Sequence, residues 1–527
     1  MKDRVSLTDF LMYHKETHPI SFHMPGHKGR STLYGIYGFG DFIKNVVGND
    51  ITEIPGADAL QQPRERIKDI MEGYAGLYGA KHTELLVNGS SAGLMASILG
   101  SVPRGGKLLM GRNSHKSVYG ALRLGGIDPV YIMPEIDSET GLQLGLDPDK
   151  IEMALIEDPG IKAVLVTSPN YYGVLSDIER IASIVHLHGR ILIVDQAHGA
   201  HLKFFDYLRS EDGLPHRAAE NCGADIVVDS THKTLLSFTG SAILNICTER
   251  PDVSRISELL RMLQTTSPSY LLMGSLDINQ QILRMDGYNL IKNWDADIKY
   301  FYEEAAQIAG LGLIDRIDLD ETKVSITMSA LGFSGPELAE ELEKRNIWVE
   351  LTHGDYVMLM TGIGNERGDY EDVLSALRDL SAHHGGRIQG VEPESSASKT
   401  ESAAQEAVQK QAKNEAQAAN KNASQLVDKI AELRTPSSDS ALIERLEQRK
   451  IPDTYEEVPL YSAEGRVLYE SIIPYPPGTP IACPGEVLSK SVILYVRDQL
   501  VAQHVVLGVD EEGRVKVESD CVLFKEI

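Results

Sequence analysis

Seven short apolar runs, separated by helix-length segments, constrain this chain more than any other feature. They are ELLVNG (84–89), KLLMGR (107–112), PVYIMP (129–134), AVLVTSP (163–169), ILIVDQ (191–196), ADIVVDS (224–230) and SAILNIC (241–247). Segments such as DIERIASIVHLHG (177–189) lie between several of them. A strand buried on both faces carries apolar residues continuously rather than alternately. Valine- and isoleucine-rich runs interleaved with helices therefore predict a mostly parallel sheet covered on both sides. Five of the runs lead into polar or small residues: NGSS, RNSH, TSPN, DQAH and DSTHK. Open α/β sheets bind ligands just beyond the carboxyl ends of their strands. These clusters should converge along one edge of one sheet.

The sheet region spans about 50–290, after an N-terminal arm, 1–49, whose start reads as a short helix capped near Ser6 or Thr8. At 527 residues the chain exceeds a single core, so further domains are expected. Residues 291–387 change texture. NWDADIKYFYEEAAQIAG reads as helix, KVSITMSA as strand, and PELAEELEKRN as a helix feeding IWVELTHGDYVMLM. This predicts a smaller α+β domain. From 388 to 435 the composition narrows to Ala, Glu, Gln, Lys, Ser and Asn with no aromatic residue, a polar linker that is either solvent-exposed helix or disordered. A third unit, 436–527, carries IIPYPPGTPIACPGE and two strand-like tails, SVILYVRDQL and RVKVESDCVLF, and is read as a C-terminal α+β domain.

No apolar run approaches the ~18–20 residues of a membrane span. The first residues, MKDRVSLTDF, are too polar for a signal peptide. Cys222, Cys247, Cys483 and Cys521 are scattered without metal-ligand spacing, which points to a reducing, cytoplasmic setting and no metal. The net charge of −25 disfavours nucleic acid and anionic membranes as partners.

The strand-end residues answer the needs of one cofactor. Pyridoxal phosphate requires an amine to condense with its aldehyde, an acid to keep its pyridine nitrogen protonated, a flat partner for its ring and a cradle for its phosphate. Lys233, in DSTHK, is the amine candidate, beside His232 and Ser230. Asp195 ends four apolar residues and is the acid candidate. His198, three residues on, is placed to hydrogen-bond the phenolic oxygen. NGSSAG (88–93) joins a strand to a helix, where backbone N–H groups and the helix dipole hold anions, with Ser90 and Ser91 as oxygen contacts. His115, in RNSHKS, is the candidate to lie on the ring. Singly, each residue admits a plainer role: a surface lysine, a helix-capping aspartate, a loop histidine. Together they fill the four roles at successive strand ends.

The ordered set SFHMPGHKG, NGSSAG, RNSHKS, TSPNYYG, DQAHGAH, DSTHKT, TTSPSY and PYPPGTP…PGE resembles the ornithine/lysine/arginine decarboxylase family in its short bacterial form, without the N-terminal wing domain. The resemblance covers almost the whole chain outside 388–435. It implies a fold-type I, aspartate-aminotransferase-like large domain and pyridoxal 5'-phosphate as cofactor. It assigns Lys233 to the cofactor aldehyde, Asp195 to the pyridine nitrogen, His115 to the ring, and Ser90, Ser91, Ser230 and His232 to the phosphate. It implies that Thr265 reaches the site of a neighbouring subunit in a homodimer, or dimer of dimers, and that Glu486 senses the substrate's distal cation. Two departures stand out. GADALQQPRER carries Gln61, Gln62 and Arg64 where members often have a histidine and then a glycine, and Gln196 follows Asp195 where glutamate is commoner.

The expected activity is decarboxylation of a basic amino acid, lysine or arginine before ornithine, feeding polyamine metabolism. Another pyridoxal-phosphate reaction, transamination or oxidation, is the alternative on the same scaffold. A non-catalytic binding protein is the third reading, and the filled cofactor roles weigh against it.

Overall fold

The computed structural model describes residues 6–384, 446–449, 451–452, 454–475, 478–501 and 505–519. The linker expected at 388–435, and Cys521, lie outside them.

All seven apolar runs form strands of one sheet: β1 (His82–Leu86), β2 (Lys107–Gly111), β3 (Asp128–Ile132), β4 (Ile161–Thr167), β5 (Ile191–Asp195), β6 (Ile226–Asp229) and β7 (Ala242–Ile246). Their order is β1-β7-β6-β5-β4-β2-β3. The pairs from β6 through β3 are parallel, while β7 runs antiparallel to both its neighbours. Because β7 is reversed, its beginning, at Gly240–Ser241, shares an edge with the carboxyl ends of the other strands.

Both faces are apolar, as the continuous runs required. Leu108, Met110, Leu165, Ile193 and Val228 pack against helices Gly89–Ser101, Lys116–Gly125 and Val253–Leu263. Leu109, Val164, Val166, Leu192 and Val227 pack against helices Pro148–Glu157 and Ile178–Leu187. Successive residues of one strand thus serve opposite layers, the period-two geometry of a pleated strand.

A second sheet contains β8 (Gly312–Leu313), β9 (Lys323–Thr327), β10 (Leu351–His353) and β11 (Tyr356–Met360), in the antiparallel order β10-β11-β9-β8. The helix Tyr270–Ala305 links the two sheets and runs straight through the change of texture at 291, with its one break in helical geometry at Asp286. The N-terminal segment begins with helix Leu7–Glu16, capped by Ser6 in a reciprocal box with Asp9. Its strand Ile20–Phe22 then pairs in parallel with Ile347–Val349.

The C-terminal residues have a separate apolar core and two two-stranded sheets, Tyr455–Pro459 with Arg514–Glu518 and Ile473–Tyr475 with Val505–Leu507. One expected strand is corrected. SVILYVRDQL forms helix Lys490–Val501, which buries Val492, Ile493 and Val496 on one side. Its β-branched residues favour strand, but the burial follows helical spacing, and packing overrides propensity.

Candidate active site

The turn after β6 carries the lysine. Ser230 leads into a single helical turn, Thr231–Thr234, which sets Lys233 Nζ 2.9 Å from His198 Nε2. Burial lowers the lysine's pKa to about 8, Asp195 and Glu350 oppose the shift, and Lys323 adds to it. The Lys233 ammonium has no lone pair and can only donate, so in that form His198 Nε2 accepts and its proton resides on Nδ1. That Nδ1 is buried with no partner among the described residues. Burial first, then Lys233, holds the imidazole well below its ordinary pKa and therefore neutral.

The turn is locked from behind by the N-terminal HMPGHKG segment. Gly26 N–H donates to the His232 carbonyl at 2.8 Å, and a Cβ at Gly26 would lie 2.3 Å from the Thr234 carbonyl carbon. The two motifs SFHMPGHKG and DSTHKT are therefore halves of one packing arrangement.

Asp195 is the last residue of β5 and is 3% exposed. Its Oδ1 accepts from Ala197 N–H at 3.2 Å. Burial raises its pKa, and Lys233 and the Ala197 amide oppose that shift. Thr167 is its register partner on β4, and the Thr167 hydroxyl is buried without a partner among the described residues. The Ser230 hydroxyl is buried and unpartnered in the same sense.

Gly89 (φ 72°) turns the chain from β1 into helix Gly89–Ser101, whose first turn holds Ser90 and Ser91. Gly93 lets this helix lie close on the sheet, since a Cβ there would meet Leu86 at 2.6 Å and Val228 at 3.0 Å. Gly89 N–H donates to the Gly240 carbonyl at 2.8 Å, and the next carbonyl, Ser241, is 2.7 Å from His232 Nδ1. A carbonyl only accepts, so His232 Nδ1 is the donor. Burial, its largest cause, holds His232 down to about 4. The NGSSAG and DSTHK turns thus meet across Gly240 and Ser241.

His115 caps helix Lys116–Gly125, its Nδ1 accepting from Ser117 N–H at 3.2 Å. Burial, then Lys233 and Lys116, bring its pKa to about 3, leaving a neutral ring with its proton on Nε2.

Residues 5–311 match the major domain of the Orn/Lys/Arg decarboxylases, and residues 439–508 match their C-terminal domain. The arginine decarboxylase of Bacillus subtilis is 30% identical over 95% of this chain and 94% of its own. That of Bacillus anthracis is 29% identical over 95% and 94%. Lysine decarboxylase A of Pseudomonas aeruginosa shares the fold, with a TM-score of 0.68, 20% identity, and coverage of 97% of this chain and 80% of its own. The chain belongs to the Orn/Lys/Arg decarboxylase family. Membership makes it an amino-acid decarboxylase with the fold-type I architecture.

Of the site residues read from the sequence, the single chain gathers Ser90, Ser91, His115, Asp195, His198, Ser230, His232 and Lys233 along one sheet edge. Two lie elsewhere. Thr265 is exposed, its hydroxyl accepting from Ser267 N–H at 3.2 Å and its carbonyl from Gln61 Nε2 at 3.3 Å. Glu486, expected to sense the substrate's cation, is corrected: its carboxylate already holds Arg112 at 2.8 Å and the Cys483 N–H at 2.7 Å. Both side chains of that ion pair are 2% exposed. Arg112 lies three residues before His115 and also donates to the Pro480 carbonyl at 2.7 Å. The pair therefore anchors the C-terminal residues to the His115 turn.

The departures are accounted for locally. Gln196 donates to Glu220 and Asp229 at 3.0 and 2.9 Å, within a buried polar cluster. Arg64 N–H donates to Asp58 at 3.0 Å, and Gln61 braces the Thr265 loop. Sequence reasoning missed Thr167, Glu350, whose carboxylate takes the Tyr171 hydroxyl at 2.9 Å, and Lys323. Thr167 and Tyr171 stood inside the quoted TSPNYYG. Nothing local in the sequence marks the other two.

Proposed function

We propose that this decarboxylase acts on arginine, using pyridoxal phosphate bound covalently by Lys233. The carrying observation is the pairing of a buried lysine, held near neutrality, with a neutral histidine and a buried carboxylate at one sheet edge. The choice of arginine follows the two arginine decarboxylases at 29–30% identity, above the lysine decarboxylase LdcA of Pseudomonas aeruginosa at 23%.

The chain's own groups fit the cofactor. The Ser230 hydroxyl and the His198 Nδ1–H are buried and lack partners among the described residues, and Asp195 is a buried carboxylate suited to a pyridinium partner. Ser90, Ser91, Ser230 and His232, with the first amides of helix Gly89–Ser101, would hold the phosphate. His198 would donate Nδ1–H to the phenolic oxygen, and His115 would present its neutral ring to the cofactor's face. When bound, the cofactor supplies an electron-withdrawing ring that stabilises the carbanion left as CO₂ departs. Lys233, near its pKa at neutral pH, can lose a proton to attack and later return one. Either Lys233 or His115 delivers the final proton to the α-carbon. The product would be agmatine, a polyamine precursor, formed in the cytoplasm.

We further infer a homodimer, or a dimer of dimers, with shared sites. Thr265 is exposed on its own chain, and twofold pairing would bring it to a neighbouring site and complete two sites at once. Parallel assays of CO₂ release from arginine, lysine and ornithine test the substrate assignment. Preference for lysine or ornithine would overturn it, and a keto acid product would overturn decarboxylation itself.

A further inference from the structure

The segment Asp320–Lys323, which leads into β9, touches three strand-end loops of the large sheet at once. Asp320 N–H donates to the Gly173 carbonyl, beyond β4, at 2.8 Å. Lys323 Nζ donates to the His198 carbonyl, beyond β5, at 2.8 Å. Asp320 Oδ1 accepts from His201 Nε2 at 3.1 Å, and His201 Nδ1 lies 3.2 Å from the Thr234 hydroxyl, beyond β6 and next to Lys233. Lys323 and Asp320 pair at 2.7 Å and are 0% and 1% exposed. Gly173 makes room for this, since a Cβ there would lie 2.8 Å from Lys323 Cβ.

Burying two charges costs desolvation that apolar side chains of similar size would avoid. What an ammonium adds is directed donors. One N–H holds a carboxylate and another holds a specific carbonyl, so the main chain at His198 is tied to a second domain. We propose that Lys323 is a positioning residue for decarboxylation: clamped by Asp320, it fixes the main chain at His198 and with it the imidazole against Lys233.

Lys323 also acts on Lys233 through space. The groups facing the Lys233 amine are His198 in contact, His115 on its helix turn, the adjacent His232, Asp195 at the end of β5, Glu350 between the short strands, and Lys323. Asp195 and Glu350 favour the ammonium, and Lys323 disfavours it. Removing Lys323 should therefore make Lys233 harder to deprotonate. The inference rests on Lys233 being the cofactor-binding lysine.

The test uses full-length apo-protein and pyridoxal phosphate. Covalent uptake is trapped with borohydride and its rate followed across neutral and alkaline pH. The double variant Lys323→Met/Asp320→Asn removes both charges and should stay folded, because neither partner is left alone. Its uptake should reach half-maximum at higher pH than wild type. Its kcat should fall about tenfold or more through loss of alignment. A folded double variant with wild-type pH dependence and wild-type kcat would overturn the proposal and leave Lys323 a packing residue. If the double variant does not fold, Asp320→Asn alone decides: it leaves the Lys323 charge without its counter-charge, so half-maximum uptake should move to lower pH, and an unshifted profile would refute the proposal. Wild-type uptake at a residue other than Lys233 would refute the underlying site assignment instead.

Discussion

Lys233 Nζ lies 2.9 Å from His198 Nε2, and while the lysine is an ammonium this contact makes the imidazole the acceptor. The imidazole accepts, so its only proton faces away on Nδ1. The amine sits at a folded pKa of about 8 against an ordinary 10.5.

That shift has a stability consequence. Between pH 8 and 10.5 the unfolded chain binds more protons at Lys233 than the folded one, so stability rises with pH there. Below 8 the penalty of holding the buried ammonium is complete. Apo Lys233→Met, which removes the penalty, should melt higher than apo wild type at neutral pH. The gap should close as pH rises through this window. Thermal melting of both proteins across it is the check, and a constant gap would contradict the lowered pKa.

Asp195→Asn keeps the side-chain shape and removes the charge. With the cofactor's nitrogen no longer held protonated, kcat should fall by about 10³–10⁴, as when other buried orienting carboxylates are neutralised. Folding should be little changed. Steady-state CO₂ release beside a melting curve measures both, and a near-normal kcat would show that the acid has been misassigned.

Glu486→Gln leaves Arg112 buried without its counter-charge. A loss of about 3–5 kcal/mol in stability is expected, by analogy with other broken buried pairs. Arg112→Met/Glu486→Leu should recover much of it. Denaturant unfolding reads these differences. A raised KM with unchanged stability would instead return Glu486 to the role of substrate sensor.

Much of this is legible in the sequence. Continuous apolar runs such as AVLVTSP and ILIVDQ can only be buried on both faces, and all seven became strands of one sheet. The polar residues after them had to meet at one edge because parallel strands place their ends together. What stayed hidden depends on distant partners. Lys323 opens a strand and looks like a surface lysine, yet its burial is set by His198, 125 positions away. Glu486 read as free to meet a substrate because Arg112 lies 374 positions upstream. SVILYVRDQL misled because its two valines and its isoleucine favour strand locally, while their spacing in the fold suits a helix against the C-terminal core.

The shared-site reading predicts complementation. Lys233→Ala and a Thr265 variant should each be inactive alone. Mixed and allowed to exchange subunits, they should regain part of the activity through hybrids with one intact site. Exchange that is demonstrable by mass, yet without regained activity, would refute the sharing of Thr265.

The role of Lys233 is open to direct chemical trapping. Holo-protein is reduced with borohydride, digested, and its peptides are weighed. One pyridoxyl adduct is expected, on Lys233 in DSTHK, and none in Lys233→Ala, which should be folded and unable to release CO₂ from arginine. An adduct on another lysine, or full decarboxylation by Lys233→Ala, would contradict that role.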